Sequence, residues 1–229
     1  MKDQTDVSEN EERFSPWRIA IKLFSIPSVV LLTCGFVAIV FVNNAYLVWA
    51  PGLLTDKFSL SLTAAGGNSM FYHHLGALAF VLIGGAVSDG IARRIPTFRI
   101  HLQWTSMLLG APFIYMFGAG TTLGTVLAMS FVFGVFRGLY ESNTHAAIFE
   151  AVPARYRASL VGLMIMVAFL IGSTAPLLLG WLCDLYGKAE GLTIGFELLS
   201  IVWIFGGLAV LFAACFTYRR DIKKRMDRE

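Results

Sequence analysis

Long apolar runs separated by short polar stretches dominate the chain. A helix needs about 20 mainly apolar residues to cross the hydrocarbon core of a bilayer. Runs near this length predict six transmembrane helices, at Ile26–Ala50, Ser69–Ser88, Ile100–Phe117, Leu123–Phe149, Leu160–Leu182 and Ile194–Tyr218. Turn signals separate the runs, such as Pro51-Gly52 after the first and Pro153-Ala154 after the fourth. The pattern therefore predicts an all-α membrane protein.

Lys and Arg residues are concentrated in alternate polar segments. The first, third, fifth and seventh segments hold fifteen of the 18 such residues, whereas the segments between them hold only Lys57 and Lys188. These fifteen are Lys2, Arg13, Arg18, Lys22, Arg93, Arg94, Arg99, Arg155, Arg157, Arg219, Arg220, Lys223, Lys224, Arg225 and Arg228. Because positive loops stay in the cytoplasm, the asymmetry predicts that both termini are cytoplasmic. An even number of spans agrees with this orientation.

Three regions follow from this division of the chain. Residues 1–25 form a polar segment predicted to be cytoplasmic, residues 26–218 form the six-helix domain, and residues 219–229 form a basic cytoplasmic tail. Apolar residues make up 56% of the chain and charged residues 14%, against about 25% charged in ordinary soluble domains. The composition therefore indicates that lipid is the main solvent.

The same composition argues against several other classes of protein. Cys34, Cys183 and Cys215 are odd in number and widely spaced, so neither a disulfide framework nor a metal site is predicted. The net charge of +3 comes without a strip of basic and aromatic residues, so no nucleic-acid partner is expected. A phosphate-binding Gly-x-x-x-x-Gly-Lys-Ser/Thr loop is absent from the sequence, and no cofactor is expected.

A short motif after the second run carries the first family resemblance. Gly85-x-x-x-Asp89-x-x-x-Arg93-Arg94 lies at a predicted cytoplasmic turn and resembles the signature loop of the major facilitator superfamily of transporters. The resemblance implies that these residues latch one conformation. Gly85 would permit close helix approach, Asp89 would accept hydrogen bonds, and the arginines would reach acidic groups or lipid phosphate. The chain departs from the pattern at Gly90, where the family has a basic residue.

Further segments extend the resemblance over nearly the whole chain from about Pro27. Residues 137–159 resemble the tenth helix of such transporters and the loop that follows it, and residues 172–182 resemble the eleventh helix. Residues 49–53 are similar to the seventh helix of the organic anion:cation symporter branch. The chain as a whole is thus similar to the carboxy-terminal six-helix half of a major facilitator transporter.

That resemblance implies a fold of two three-helix repeats of inverted topology. Gly85 and Asp89 end the second run, and Gly180 and Asp184 end the fifth with the same spacing on the opposite side, as inverted repeats require. The family holds its substrate between two halves. The resemblance therefore implies a missing amino-terminal half, or a second half-chain, as a partner.

Ionisable residues at membrane depth are costly and are therefore candidate functional groups. Arg137, Glu141 and His145 follow one another at spacings of four, which predicts one stripe along a continuous helix facing a central cavity. Arg137 is either a fixed cation for a substrate carboxylate or one half of a structural ion pair with Glu141. Glu141 and His145 are candidates for proton coupling.

Polar residues on the first two runs complete the predicted substrate site. Asn44 lies toward the outer end of the first run, and Tyr72 and His73 lie in the outer half of the second. Such groups can line a cavity. A histidine there either relays protons and orients substrate or is satisfied by a neighbouring helix.

The function expected is secondary active transport of a small solute by alternating access in the cell inner (plasma) membrane. A small organic anion is favoured as substrate, with a proton or sodium ion as the coupling ion. The alternative is a truncated or remnant half-transporter, which inserts but transports only with a partner half. An enzyme is not expected, because the chain has neither a Gly-x-Ser-x-Gly elbow nor a His-Glu-x-x-His motif.

Overall fold

The computed structural model describes residues 16–227, a range that is helical and contains no strand. Residues 1–15 of the predicted polar segment and residues 228–229 of the predicted tail lie outside it. Within the range, the α-helices are α1 (Pro16–Phe24), α2 (Pro27–Phe58), α3 (Leu62–Ala92), α4 (Phe98–Ala119), α5 (Leu123–Glu141), α6 (Thr144–Glu150), α7 (Arg157–Gly172), α8 (Ala175–Tyr186), α9 (Lys188–Phe212) and α10 (Tyr218–Met226). A 3-10 turn at Ala154–Tyr156 precedes α7, and a π-helical turn at Ala213–Thr217 joins α9 to α10.

Five stretches among the described residues are long and apolar enough to cross a membrane. They are Pro27–Phe58, Leu62–Ala92, Leu123–Glu150, Ala154–Tyr186 and Lys188–Met226, and they correspond to five of the six predicted spans. The remaining prediction, Ile100–Phe117, corresponds to α4. Its 22 residues extend for about 33 Å, but Arg99, His101 and Gln103 in its first half lower its hydropathy.

The first span is longer than the apolar pattern predicted. The predicted break at Pro51-Gly52 is wrong, because α2 continues through Pro51 and ends at Phe58. Proline is tolerated inside spanning helices, where neighbouring groups satisfy the freed backbone atoms. The helix ends only at Ser59, whose φ of 54° is left-handed and turns the chain toward α3.

The fourth and fifth spans are each interrupted, whereas the sequence predicted continuous helices. After α5 ends at Glu141, a turn at Ser142 and Asn143 leads into α6, and the Asn143 side chain donates to the Ser142 hydroxyl at 2.7 Å. Between α7 and α8 the break lies just before Pro176, which has no backbone N–H to continue the helical hydrogen bonds.

Aromatic side chains join four of the long helices at the centre of the bundle. The rings of Phe133 on α5 and Trp203 on α9 meet edge to face, 5.0 Å apart. Phe117 on α4 lies 5.1 Å from Tyr46 on α2 and 4.9 Å from Phe196 on α9. All five side chains are at most 1% exposed. This core holds α2, α4, α5 and α9 in fixed relation and supports the polar residues beside it.

Glycines bring α3 and α5 into backbone contact. A Cβ added at Gly134 would collide with the His73 carbonyl oxygen, and one added at Gly138 would collide with the Ala77 carbonyl oxygen. Gly76 approaches the Phe131 carbonyl oxygen in the same way. Small residues let membrane helices approach closely and gain dispersion contacts where no hydrophobic effect drives association. The contact sets the positions of the side chains that follow these glycines.

The outer surface of the bundle remains strongly apolar. Among the exposed large side chains are Leu78 and Leu82 on α3, Leu170 on α7, Leu177 on α8 and Phe205 on α9. On a soluble protein such a surface would drive association, but lipid solvates it at no cost. The distribution agrees with membrane-spanning helices.

Candidate functional site

The central charged group of the candidate site is an ion pair within α5. The Nε and Nη2 atoms of Arg137 lie 2.9 and 2.8 Å from Oε1 of Glu141. The two residues are one helical turn apart, which places their side chains on the same face. The Arg137 side chain is 13% exposed and that of Glu141 is 33% exposed. The pair is therefore accessible from one side rather than sealed in the core.

His73 of α3 supplies the third member of this group. Its Nε2 lies 2.9 Å from Nη1 of Arg137, and its ring stacks on Phe133 at 5.1 Å between centroids. Because a guanidinium group can only donate, Nε2 accepts, and the neutral imidazole carries its proton on Nδ1. His73 is completely buried. It therefore holds Arg137 in place from the inner side of the bundle.

Tyr46 of α2 extends the group to a third helix. Its ring lies 4.4 Å from that of His73, and its hydroxyl lies 2.6 Å from the Ser130 hydroxyl and 2.9 Å from the Ser69 carbonyl oxygen. Tyr46, His73, Ser130, Arg137 and Glu141 form what is called here the arginine cluster. The cluster presents one fixed cation and one carboxylate on a support of buried aromatic and hydroxyl groups.

The predicted stripe on the fourth span does not continue to His145. Because α5 ends at Glu141, His145 lies on α6, is exposed, and stacks on Phe149 at 6.0 Å between centroids. The turn at Ser142 and Asn143 breaks the spacing of four that a continuous helix would have kept. His145 is thus displaced from the line defined by Arg137 and Glu141.

The two other predicted binding residues lie on the helices expected for them. Asn44 is partly buried on α2, where its Nδ2 would be 3.2 Å from a Cβ added at Gly172 of α7. Tyr72 is partly exposed on α3 and meets the ring of Phe71 edge to face at 5.4 Å. Asn44 therefore lies at the junction of α2 and α7. The substrate-binding roles of Asn44 and Tyr72 stay predictions.

Sequence reasoning missed two residues of α5: Ser130, which belongs to the cluster, and Phe133, which packs against its histidine. Ser130 meets a tyrosine 84 residues away, and Phe133 stacks on a histidine of another helix. One signal was present, because Ser130, Gly134 and Arg137 recur at spacings of four and three along one helical face. A serine and a glycine on the face of a membrane-buried arginine indicate close packing against a polar neighbour.

A second charged network lies at the end of the bundle that carries most of the cations. Arg99 of α4 donates to Asp89 of α3 at 2.8 Å and to Glu150 of α6 at 3.1 Å. The Tyr218 hydroxyl of α10 lies 2.7 Å from the other Glu150 oxygen and 2.8 Å from the Ala147 carbonyl oxygen. These contacts, called here the Arg99 network, tie four helices together.

The predicted latch motif is placed differently from what the resemblance implied. Asp89 pairs with Arg99, while Arg93 and Arg94 are exposed. The predicted close approach at Gly85 is wrong, because a Cβ added there would meet nothing within 4 Å. Its neighbour Gly84 makes that approach, since an added Cβ would lie 2.8 Å from the Ser142 hydroxyl. The helical rotation of 100° per residue turns the two glycines to different faces.

The two cations predicted for the opposite side are both engaged by neighbouring groups. Lys57 donates to the Gly118 and Gly120 carbonyl oxygens, which closes the carboxyl end of α4. Lys188 pairs with Asp56 at 3.1 Å. Each of these lysines therefore makes a structural contact, which accounts for a cation on the side that is otherwise poor in basic residues. Residues 16–227 contain no cluster of three or more His, Cys, Asp or Glu side chains that could hold a metal ion.

Comparison with known proteins establishes the family. The sequence model of the Major Facilitator Superfamily matches residues 31–228, and the chain belongs to this superfamily. It is therefore an integral, multi-pass membrane protein of a transporter class. No curated protein sequence matches the chain.

Two solved structures share the fold. Both are crystal structures of a bacterial homologue of the human lysosomal transporter Spinster in an inward-facing conformation, one unoccupied and the other occupied. Their TM-scores are 0.75 and 0.70, each at 16% sequence identity. The similarity covers 90% and 87% of this chain but 51% of each of those chains, so this chain spans about half their length.

Proposed function

We propose that the chain forms one six-helix half of a secondary transporter for a small organic anion. Five spans together with α4 make the half, arranged as two inverted three-helix repeats with both termini cytoplasmic. It works by alternating access in the cell inner membrane, coupled to a proton or sodium gradient. The observation that carries the proposal is the pairing of Arg137 with a partly exposed Glu141 at membrane depth.

The arginine cluster has the chemistry of an exchangeable anion site. Nε and Nη2 of Arg137 form the edge that holds Glu141, and the same edge suits a carboxylate on a substrate. Nη1 stays on His73, so the guanidinium keeps its orientation when Glu141 leaves. A substrate carboxylate that displaces Glu141 leaves that side chain without its cation, which favours its protonation. Binding of an anion and uptake of a proton are then linked.

Exposure of the cluster also supports a second half as partner. A charged pair in contact with hydrocarbon costs several kcal/mol, so an ion pair whose carboxylate is 33% exposed needs water or protein against it. A facing six-helix half provides both, because the two halves of such transporters enclose the substrate at the bilayer midplane. The coverage of only 51% of the similar structures is consistent with this arrangement. Asn44 and Tyr72 then contribute to the enclosed cavity, whereas His145, displaced onto α6, does not.

The Arg99 network serves as the conformational latch in this proposal. It links α3, α4, α6 and α10 at the basic end of the bundle, and the side chains of its charged members Arg99, Asp89 and Glu150 are 23%, 67% and 26% exposed. Ion pairs of this kind are weak enough to break and re-form during a transport cycle. Arg93 and Arg94, exposed beside Asp89, and Gly85, which faces open space, are available to a facing half.

The alternative is a truncated or remnant half-transporter, which inserts in the membrane but transports only with a partner half and not with a second copy of itself. Uptake of a panel of labelled organic acids into proteoliposomes under an imposed pH gradient distinguishes the two. The chain alone is compared with the reading frame extended upstream of Met1 and with a Glu141→Gln variant of whichever form transports. Transport by the chain alone indicates paired half-chains, transport only by the extended form supports the alternative, and no uptake of any acid by either form contradicts an organic-anion transporter.

A further inference from the structure

A basic cavity outside the arginine cluster lies at the end of the bundle that carries most of the cations. It has a volume of about 580 Å³ and lies between α1, the start of α2, the Ala154–Tyr156 turn and α10. Its lining includes Lys22, Arg155, Lys224 and Arg225, with Asp221 as the acidic residue. Neither the transport proposal nor the Arg99 network uses these four cations.

Among residues 16–227, Asp221 is the one carboxylate in the lining, and it does not neutralise the cavity. Asp221 is only 6% exposed and accepts a hydrogen bond at 3.1 Å from the backbone N–H of Ser28, in the first turn of α2. Its other oxygen lies 3.4 Å from Nε of Arg220, which does not line the cavity. The two oxygens of Asp221 thus contact the amino terminus of α2 and a cation outside the cavity. Asp221 therefore leaves Arg155, Lys224 and Arg225 of the cavity lining without a carboxylate partner among residues 16–227.

The basic side chains are held in positions suited to an anion. Arg155 lies over the Tyr156 ring at 4.8 Å, and Lys22 donates to the Tyr156 hydroxyl at 3.2 Å. The Nε atom of Arg225 is buried and has no hydrogen-bond partner among residues 16–227. Such a set of donors suits a phosphate group, whose oxygens accept several charge-assisted hydrogen bonds at once.

Helix α1 sets the cavity at the membrane surface. Leu23 is buried against the bundle, whereas Trp17 and Ile21 are 73% and 57% exposed. Exposed Trp and apolar residues on a short helix with Arg18 and Lys22 are typical of an interfacial helix lying among lipid headgroups. The part of the cavity lined by α1 is therefore at headgroup level.

We propose that this cavity binds a phosphate group, carried by the headgroup of an anionic phospholipid. A basic pocket between membrane helices on the positive side of a protein is suited to such headgroups. The exposed apolar side chains of α1 give the acyl chains a place to lie, which a soluble phosphate compound would not use. The occupied site would tie α1, the turn before α7 and α10 to the membrane surface.

Native mass spectrometry of the full chain in detergent tests this site. Phosphatidylglycerol and phosphatidylcholine are titrated at equal concentrations, with Arg155→Gln/Arg225→Gln as the test variant. The control is Arg219→Gln/Lys223→Gln, which removes the same charge from exposed positions of α10 that do not line the cavity. Each cation contributes about fivefold to the affinity for an anionic lipid. The test variant should therefore bind phosphatidylglycerol roughly 10- to 30-fold more weakly than the parent, whereas the affinity of the control should stay within about threefold of it.

Thermal unfolding in detergent shows whether each variant is folded, and the milder Arg155→Lys/Arg225→Lys variant should retain most of the binding. Equal affinity of the parent for the two lipids, or equal loss in the test and control variants, would overturn the proposal. Inorganic phosphate and glycerol 3-phosphate are added as competitors. If they displace the lipid at millimolar concentration and also bind the lipid-free protein, the phosphate site stands and the lipid assignment is overturned.

Discussion

Nη1 of Arg137 lies 2.9 Å from Nε2 of His73, a residue 64 positions earlier in the chain and on another helix. The contact exists because Gly134, one turn before Arg137, rests directly on the His73 backbone. The close approach at Gly134 therefore sets the position of Arg137. Backbone packing and site chemistry are coupled at this point.

Gly134→Ala should destabilise the protein by roughly 1–3 kcal/mol, because the added methyl group collides with a backbone carbonyl that cannot rotate away. Gly162→Ala is the matched control, since a Cβ there meets nothing within 4 Å. On α7 that change should be neutral or stabilise by up to about 1 kcal/mol through helix propensity. Thermal unfolding in detergent measures both. Equal effects of the two changes would contradict the backbone contact between α3 and α5.

Arg137→Lys should reduce uptake of the transported anion at least about tenfold, since lysine keeps the charge but cannot hold Glu141 or a carboxylate on one edge and His73 on the other. Initial rates in proteoliposomes measure the change, with Arg219→Lys on exposed α10 as control. An unchanged rate in the Arg137 variant would show that transport does not need the several hydrogen-bond donors of the guanidinium group. It would favour a purely structural ion pair.

Glu141→Gln should abolish uptake driven by a pH gradient while leaving exchange of substrate across the membrane. Glutamine fills the same space beside Arg137 but cannot take up or release a proton. Counterflow of labelled substrate and pH-driven uptake are measured on the same proteoliposomes. Unchanged pH-driven uptake would exclude Glu141 as the proton carrier.

Arg99→Gln should destabilise the bundle by about 1–3 kcal/mol, because Glu150 loses its cation while remaining three-quarters buried. Arg93→Gln, at an exposed position on the same side, should change stability by no more than about 0.5 kcal/mol. Unfolding in detergent again provides the comparison. If Arg93→Gln has the larger effect, the network described around Arg99 does not hold this end of the bundle together.

Cysteine labelling should show that α4 crosses the membrane. In a background in which Cys34, Cys183 and Cys215 are replaced by serine, Pro96→Cys and Thr121→Cys place single exposed thiols at the two ends of the helix. A membrane-impermeant maleimide added to intact cells should label the Thr121 variant alone. If neither thiol is labelled in intact cells although both are labelled in permeabilised cells, α4 stays on the cytoplasmic side and the number of spans is odd.

The apolar runs alone determined that the protein is a helical bundle in lipid and where most of its long helices lie, because span length and hydropathy are local properties of the chain. The Arg137 and Glu141 pair was also predictable, since residues four apart on one helix are neighbours whatever surrounds them. The motif around Asp89 and the segments resembling later helices indicated the superfamily that the sequence model establishes.

Only the tertiary structure decided what these residues meet. Packing of α3 on α5 placed His73 against Arg137, and packing of α2 on α5 placed Tyr46 against Ser130. Packing at the basic end selected Arg99 as the partner of Asp89. The turn at Ser142 and Asn143 separated His145 from Glu141. Such contacts join residues far apart in the chain through close backbone approach, and no periodicity along the chain records which helices approach one another.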